Sequence, residues 1–107
     1  MQFKLHMTHE PRKKFMSHRW AQEHGGVRME EYEHAYTGEA EWLGSEQATL
    51  EGIYMMMNNN RPADYTARSM SVSDVVELED GSLWFCDIYG FVRIGRREEH
   101  GEAPGSS

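Results

Sequence analysis

Three serines and an aspartate, Ser69, Ser71, Ser73 and Asp74, crowd the run RSMSVSDVVELEDG at residues 68–81. That density raises the chemistry of a nucleophile and its acid. A nucleophilic serine needs a base within hydrogen-bond reach, and usually a strained turn that exposes its oxygen. The run holds no Gly-x-Ser-x-Gly pattern, and no spacing ties His34 or His100 to it as a base. The serines instead alternate with Met70 and Val72, which puts them on one face of a strand. On that reading Ser71 and Ser73 hydrogen-bond loop backbone, and Asp74 caps or braces a hairpin. A hydrolase using Ser73 or Asp74 is the remote alternative.

Asp64, Asp74, Asp80 and Asp87 offer carboxylates to a cation, but their spacing follows no calcium loop. For zinc, His6-x-x-His9 is the only close histidine pair, and Cys86 lies far from it in sequence. A structural zinc site wants four ligands in recognisable pairs. No metal and no cofactor is expected. Cys86 stands between Phe85 and Asp87, where an apolar neighbour and a carboxylate both oppose the thiolate, so an inert packed thiol is expected. As the single cysteine it permits no intramolecular disulfide and suits a reducing cytoplasm.

Recognition residues are better represented than catalytic ones. Eighteen acids against 11 bases give a net charge of -7, unevenly spread. Residues 1–20 carry Lys4, Arg12, Lys13, Lys14 and Arg19 against Glu10, whereas residues 28–60 carry seven glutamates against Arg28. A body this acidic repels nucleic-acid phosphate and attracts a basic protein surface. Glu30, Glu31 and Glu33 are expected on the wet face of one strand, with Glu77, Glu79 and Asp80 on an acidic hairpin. Trp20 and Trp42 flank the acidic middle as candidate interface anchors. Of Met55, Met56 and Met57, helix geometry sends Met57 to the core and leaves Met55 or Met56 for a neighbour or a partner. The partner-binding set is therefore Glu30, Glu31, Glu33, Trp42, Met56, Glu77, Glu79 and Asp80.

The elements that must position these residues follow from periodicity. A chain of 107 residues is one domain. Its mean hydropathy of -0.78 allows an economical core, one that a homo-oligomer or a partner could extend. QFKLHM (2–7) alternates as a half-buried strand. HEPRKKFMSHRWAQEHGG follows as one short helix with Pro11 in its first turn and Gly25-Gly26 as its stop. Residues 29–37 alternate again, a strand. Ser45 caps a helix whose Leu50, Ile53, Tyr54 and Met57 recur at i, i+3, i+4 and i+7, and Pro62 forbids its continuation. Residues 69–78 and 82–95 read as two strands about the Asp80-Gly81 turn, with Gly90 marking a bulge or close backbone approach. Residues 96–107 read as a disordered tail. The expected fold is α+β, a small mainly antiparallel sheet with two helices packed on one face, spanning residues 1–95. No apolar run approaches the ~20 residues of a membrane span, and the N-terminus lacks the order of a signal peptide. A cytoplasmic location is expected.

Residues 49–94 resemble the YodL-like domain. The resemblance is carried by Leu50, Glu51, Ile53 and Tyr54, by Asn58, Pro62, Asp64 and Tyr65, and by Ser69, Ser71, Val72, Ser73, Asp74, Val75 and Val76. Cys86, Asp87, Gly90 and Phe91 complete it. Ile88 departs from the small polar residue of the family pattern, Met70 replaces a leucine, and residues 1–26 have no assigned counterpart. The resemblance implies a module of bacteria, phages and mobile elements with no established catalytic activity. It implies a non-enzymatic protein-binding role, with a phage or mobile-element inhibitor of a bacterial host system as the concrete expectation. The anti-defence form would present an acidic surface to a basic partner face. A bacterial regulatory module acting on morphogenesis or cytoskeletal proteins is the alternative. Direct nucleic-acid binding and a membrane role are not expected.

Overall fold

A computed structural model describes residues 1–97. Five antiparallel strands form one sheet in the order β2-β1-β3-β4-β5. They are β1 (Gln2–Thr8), β2 (Tyr32–Glu39), β3 (Val75–Leu78), β4 (Ser82–Asp87) and β5 (Gly90–Arg96). Two helices, α1 (His18–Glu23) and α2 (Glu46–Asn59), complete the α+β fold. Among the described residues no helix is long and apolar enough to cross a membrane.

The helices take opposite faces of the sheet, not the single face expected. Phe85 and Cys86 are adjacent on β4 and so point to opposite sides. Cys86 joins Phe3, Leu5, Val76 and Phe91 against Leu50, Ile53 and Met57 of α2. Phe85 joins Val75 and Leu83 on the other side, covered by Val27, Met29 and Tyr32, and by α1 through an edge contact of His18 at 5.5 Å. Central β3 is therefore buried at all four positions. Each large apolar side chain of α2 contributes about 1.5–3 kcal/mol on burial. Ser45 caps α2 as its sequence predicts, its Oγ accepting from the Ala48 amide at 3.1 Å.

Three expected elements are divided differently. The single helix over residues 11–24 is a 3-10 turn (Pro11–Lys13) followed by α1. Ser17 accepts from the Trp20 amide at 3.2 Å as an N-cap, and that local bond outcompetes helix continuation. The expected strand over 29–37 begins at Tyr32, because Met29–Glu31 forms a 3-10 turn. The long strand over 82–95 is a hairpin, β4 and β5, turning at Gly90 with φ of 101°. β5 also runs through Arg96, and the Arg97 amide donates to Gly81 O at 2.8 Å. The fold thus passes the expected boundary at 95, while the rest of the expected tail, 98–107, lies outside the described residues.

The two outer strands end the sheet differently. Phe91 at the start of β5 has its amide and carbonyl taken by one side chain: Gln47 Nε2 donates to Phe91 O at 2.8 Å, and the Phe91 amide donates to Gln47 Oε1 at 3.4 Å. A glutamine from α2 stands there in place of a neighbouring strand.

Candidate functional site

The serine–aspartate run is not a strand. Residues 69–74 lie outside any strand, with a turn at Val72 and Ser73, and Ser73 takes a left-handed φ of 85°. The physical cause is Asp74, fully buried at 0% exposure. Its Oδ1 accepts from Arg68 Nη2 at 2.6 Å, and its Oδ2 from Arg68 Nη1 at 3.1 Å and the Ser71 amide at 2.7 Å. A carboxylate that gathers these donors bends the chain around itself. Burial raises the Asp74 pKa, with Arg68 and the Ser71 amide opposing.

Ser73 is tied from every side. Its Oγ accepts from the Phe15 amide at 3.0 Å, its carbonyl from Tyr32 Oη at 2.6 Å, and its amide donates to Cys86 O at 2.9 Å. Phe15 is itself left-handed, with φ of 66°, and Arg68 lies 5.1 Å above its ring. Tyr65 Oη donates to Arg68 O. The signature stretch is a clasp that holds the 9–31 connection to the sheet. Cys86 beneath it has its thiol pushed up to about 12, first by burial and then by Asp74 and Asp87.

The other aspartates do not converge. Asp64 accepts from Tyr36 Oη at 2.8 Å and Asp87 from the His18 amide at 3.1 Å. Among the described residues no three His, Cys, Asp or Glu side chains stand together as metal ligands.

Of the expected partner-binding residues, the structure separates some and gathers others. Glu30 and Glu31 lie in the 3-10 turn before β2, not on a strand face. Arg28 Nη2 pairs with Glu30 at 2.6 Å, which lowers the Glu30 pKa, and Lys13 pairs with Glu31 at 2.7 Å. These two charges have neighbouring cations, and of the three glutamates only Glu33 lies on β2, where it is exposed. Glu77 is buried and offers no surface charge. Its Oε1 accepts from His6 Nε2 at 3.0 Å and from Arg97 Nη1 at 3.2 Å. Burial lowers the His6 pKa, and the hydrogen bond to Glu77 opposes that shift.

Trp42, Glu79 and Asp80 do come together. With Met1, Glu46 and Leu78 they line an open hollow of about 500 Å³ between the β2–α2 loop and the β3–β4 turn. Trp42 is 52% exposed. Asp80 Oδ1 accepts from the Ser82 amide at 2.9 Å and Ser82 Oγ at 2.6 Å. Those bonds lower its pKa and keep the carboxylate ionised. Glu79 Oε1 accepts from the Gln2 amide at 2.6 Å, which joins the turn to β1. The arrangement is an exposed aromatic ring beside three carboxylates.

Met56 lines a separate hollow with Leu43, Ala40 and Gly52. Trp20 stacks on His24 at 3.9 Å. Sequence reasoning passed over Leu43, exposed beside Trp42, and the tip of the β4–β5 hairpin. There Tyr89 is 97% exposed next to Ile88, and Ile88 with Met55 and Val72 borders a groove of about 370 Å³. The one available signal was Ile88, apolar where the family pattern has a small polar residue.

A five-stranded antiparallel sheet with one helix per face, clasped by the buried Asp74 and the half-buried Arg68, defines a small α+β domain with an exposed tryptophan beside carboxylates at one end. The chain belongs to the YodL-like domain family, whose profile matches residues 1–96. That match takes in residues 1–26, which the motifs alone left unassigned. No curated protein and no solved structure matches the chain.

Proposed function

We propose that the domain is a non-enzymatic protein-binding module whose acidic end occupies a basic face of a bacterial protein. The observation that supports it is the exposed Trp42 set among Glu46, Glu79 and Asp80 in one hollow. An aromatic side chain supplies contact area at low entropic cost, and the carboxylates supply long-range attraction and register. Glu79 and Asp80 are held by main-chain and hydroxyl donors, so their charges are preorganised rather than loosely solvated. The partner class is a protein whose basic surface otherwise receives nucleic-acid phosphate, met in the bacterial cytoplasm. A phage or mobile-element inhibitor of a host system has this design.

The test is affinity capture from bacterial lysate with the wild-type protein, Trp42→Ala, and the double variant Glu46→Lys/Glu79→Lys. The expected result is a discrete set of basic partners held by wild type at low salt and lost with either variant. Identical partner sets from all three proteins would remove this surface from the reading.

A further inference from the structure

We propose that the outer edge of β2 is a strand-acceptor site that takes an extended, basic peptide segment of the partner as a sixth, antiparallel strand. The proposal rests on the protein-binding reading above but uses main-chain groups of β2 instead of the Trp42 hollow.

The geometry follows from the β1–β2 register. Met1 and Ala40 exchange both main-chain hydrogen bonds, at 2.6 and 2.8 Å. In an antiparallel ladder such pairs alternate with pairs whose amides and carbonyls point away from each other. Gln2↔Glu39 and Lys4↔Thr37 are therefore the outward-pointing pairs, and Phe3↔Gly38 lies between them. The Gln2 amide confirms the parity, because it points toward β3 and reaches Glu79. Thr37 and Glu39 must then aim their amides and carbonyls off the sheet, past its last strand. Among the described residues no side chain closes this edge as Gln47 closes β5 at Phe91. An uncovered edge is the template used when proteins bind by adding a strand.

Charge selects the occupant. Glu33 and Glu39 are exposed at the two ends of β2, about 20 Å apart at ~3.4 Å per residue, and Glu41 follows in the loop. Lys4 lies between them on β1, opposite Thr37. The bulge between Leu5 and His6 leaves Glu39 on the face of Gln2 and Lys4 and turns Glu33 to the face of Met7, so a basic strand meets one glutamate on each face. A second copy gains no charge complementarity here: antiparallel pairing of two β2 edges about Thr37 sets Glu33 against Glu41 of the other copy, and pairing about Gly38 sets Thr37 against Glu39. Like charges directly opposed destabilise strand pairs.

The probe is a synthetic peptide of four Lys-Val repeats, titrated into the isotope-labelled wild-type protein at low salt and followed by NMR. Binding is expected to shift the Thr37 and Glu39 amides and to give interchain Cα–H contacts along β2. Thr37→Pro removes one outward amide and no bond to β1, since an edge strand tolerates proline there. It should weaken binding at least tenfold, and so should N-methylation of alternate residues on the peptide, which leaves the protein untouched. Trp42→Ala, which changes no charge, should leave this titration within twofold of wild type, so failure of the Trp42 surface and failure of the β2 edge are read separately. The proposal is overturned if the peptide does not bind, if the N-methylated peptide binds equally, or if shifts gather at Trp42. Self-association of the wild-type protein through β2, seen in sedimentation and lost in Thr37→Pro, would overturn it in favour of a second copy.

Discussion

Asp74 and Glu77 differ from Glu79 and Asp80 in burial and in pairing with arginine side chains, although all four fall within seven residues of chain. The inner pair is buried, and each carboxylate is bound by an arginine and one further donor group, the Ser71 amide for Asp74 and His6 for Glu77. The outer pair lies at the β3–β4 turn beside an exposed tryptophan. Burial of a charge is costly unless partners replace its water, so the inner carboxylates are committed to the fold. The outer ones keep their solvent and can exchange it for a partner. Net charge alone says nothing of this division, which is why a count of glutamates is a weak guide to a binding face.

The sharpest way to break the comparison is Asp74→Ala. It leaves Arg68 without its partner and the Ser71 amide without its acceptor, and should lower unfolding free energy by about 3–4 kcal/mol. Urea denaturation reads this directly, and a loss below about 1 kcal/mol would end the distinction at its strongest point. Next comes pH. The folded His6 pKa lies below its usual 6.5, so the unfolded chain takes up the proton first. Stability is full above that value and declines as pH falls from 6.5 toward the folded pKa. His6→Gln should flatten that part of the stability–pH curve, and an unchanged slope would show that the His6–Glu77 contact is not the source.

Gln47→Leu sits between the two classes, because Gln47 is exposed yet bonded to main chain. Removing its two hydrogen bonds to Phe91 should cost about 1–2 kcal/mol and raise the hydrogen-exchange rate of the Phe91 amide. The smallest effect is expected for Glu46→Gln/Glu79→Gln, which removes both charges but keeps an oxygen to accept from the Gln2 amide, within about 0.5 kcal/mol of wild type. A larger loss would move the outer carboxylates into the structural class and weaken their claim as a contact surface.

Local signals in the chain were reliable where local bonds decide the outcome. The Ser45 cap, the Leu50–Ile53–Met57 stripe and the Asp80-Gly81 turn all sit where spacing puts them. Alternation misled at residues 69–74, because Ser-Met-Ser-Val-Ser has the period of a strand while Asp74, an acceptor of Ser71 and distant in role from its neighbours, imposes a turn. The β4–β5 hairpin was hidden for the opposite reason: Ile88 and Tyr89 continue an apolar run, and Gly90 alone marks the reversal. The acidic face was half legible. Trp42, Glu79 and Asp80 were each singled out by type, but their meeting in one hollow follows only from the fold. The pairing of Glu30 with Arg28 is visible only once the turn is known, and that of Glu31 with Lys13 only once the 9–31 connection is folded back. The helices' placement on opposite faces also depends on which strand neighbours which, and periodicity carries no such information.

The position of β1 sets the order in which the molecule can be assembled. β1, first of the five strands in chain order, lies between β2 and β3, and its register with β3 joins Phe3 to Leu78. A nascent chain can form the β1–β2 ribbon before β3 is made, but a two-stranded ribbon is marginal alone. The apolar face of that ribbon must wait for α2 and then β3 before it is covered. Contacts of such sequence separation slow folding, and the interval during which β1 has one neighbour is when the growing chain is most open to wrong strand pairing.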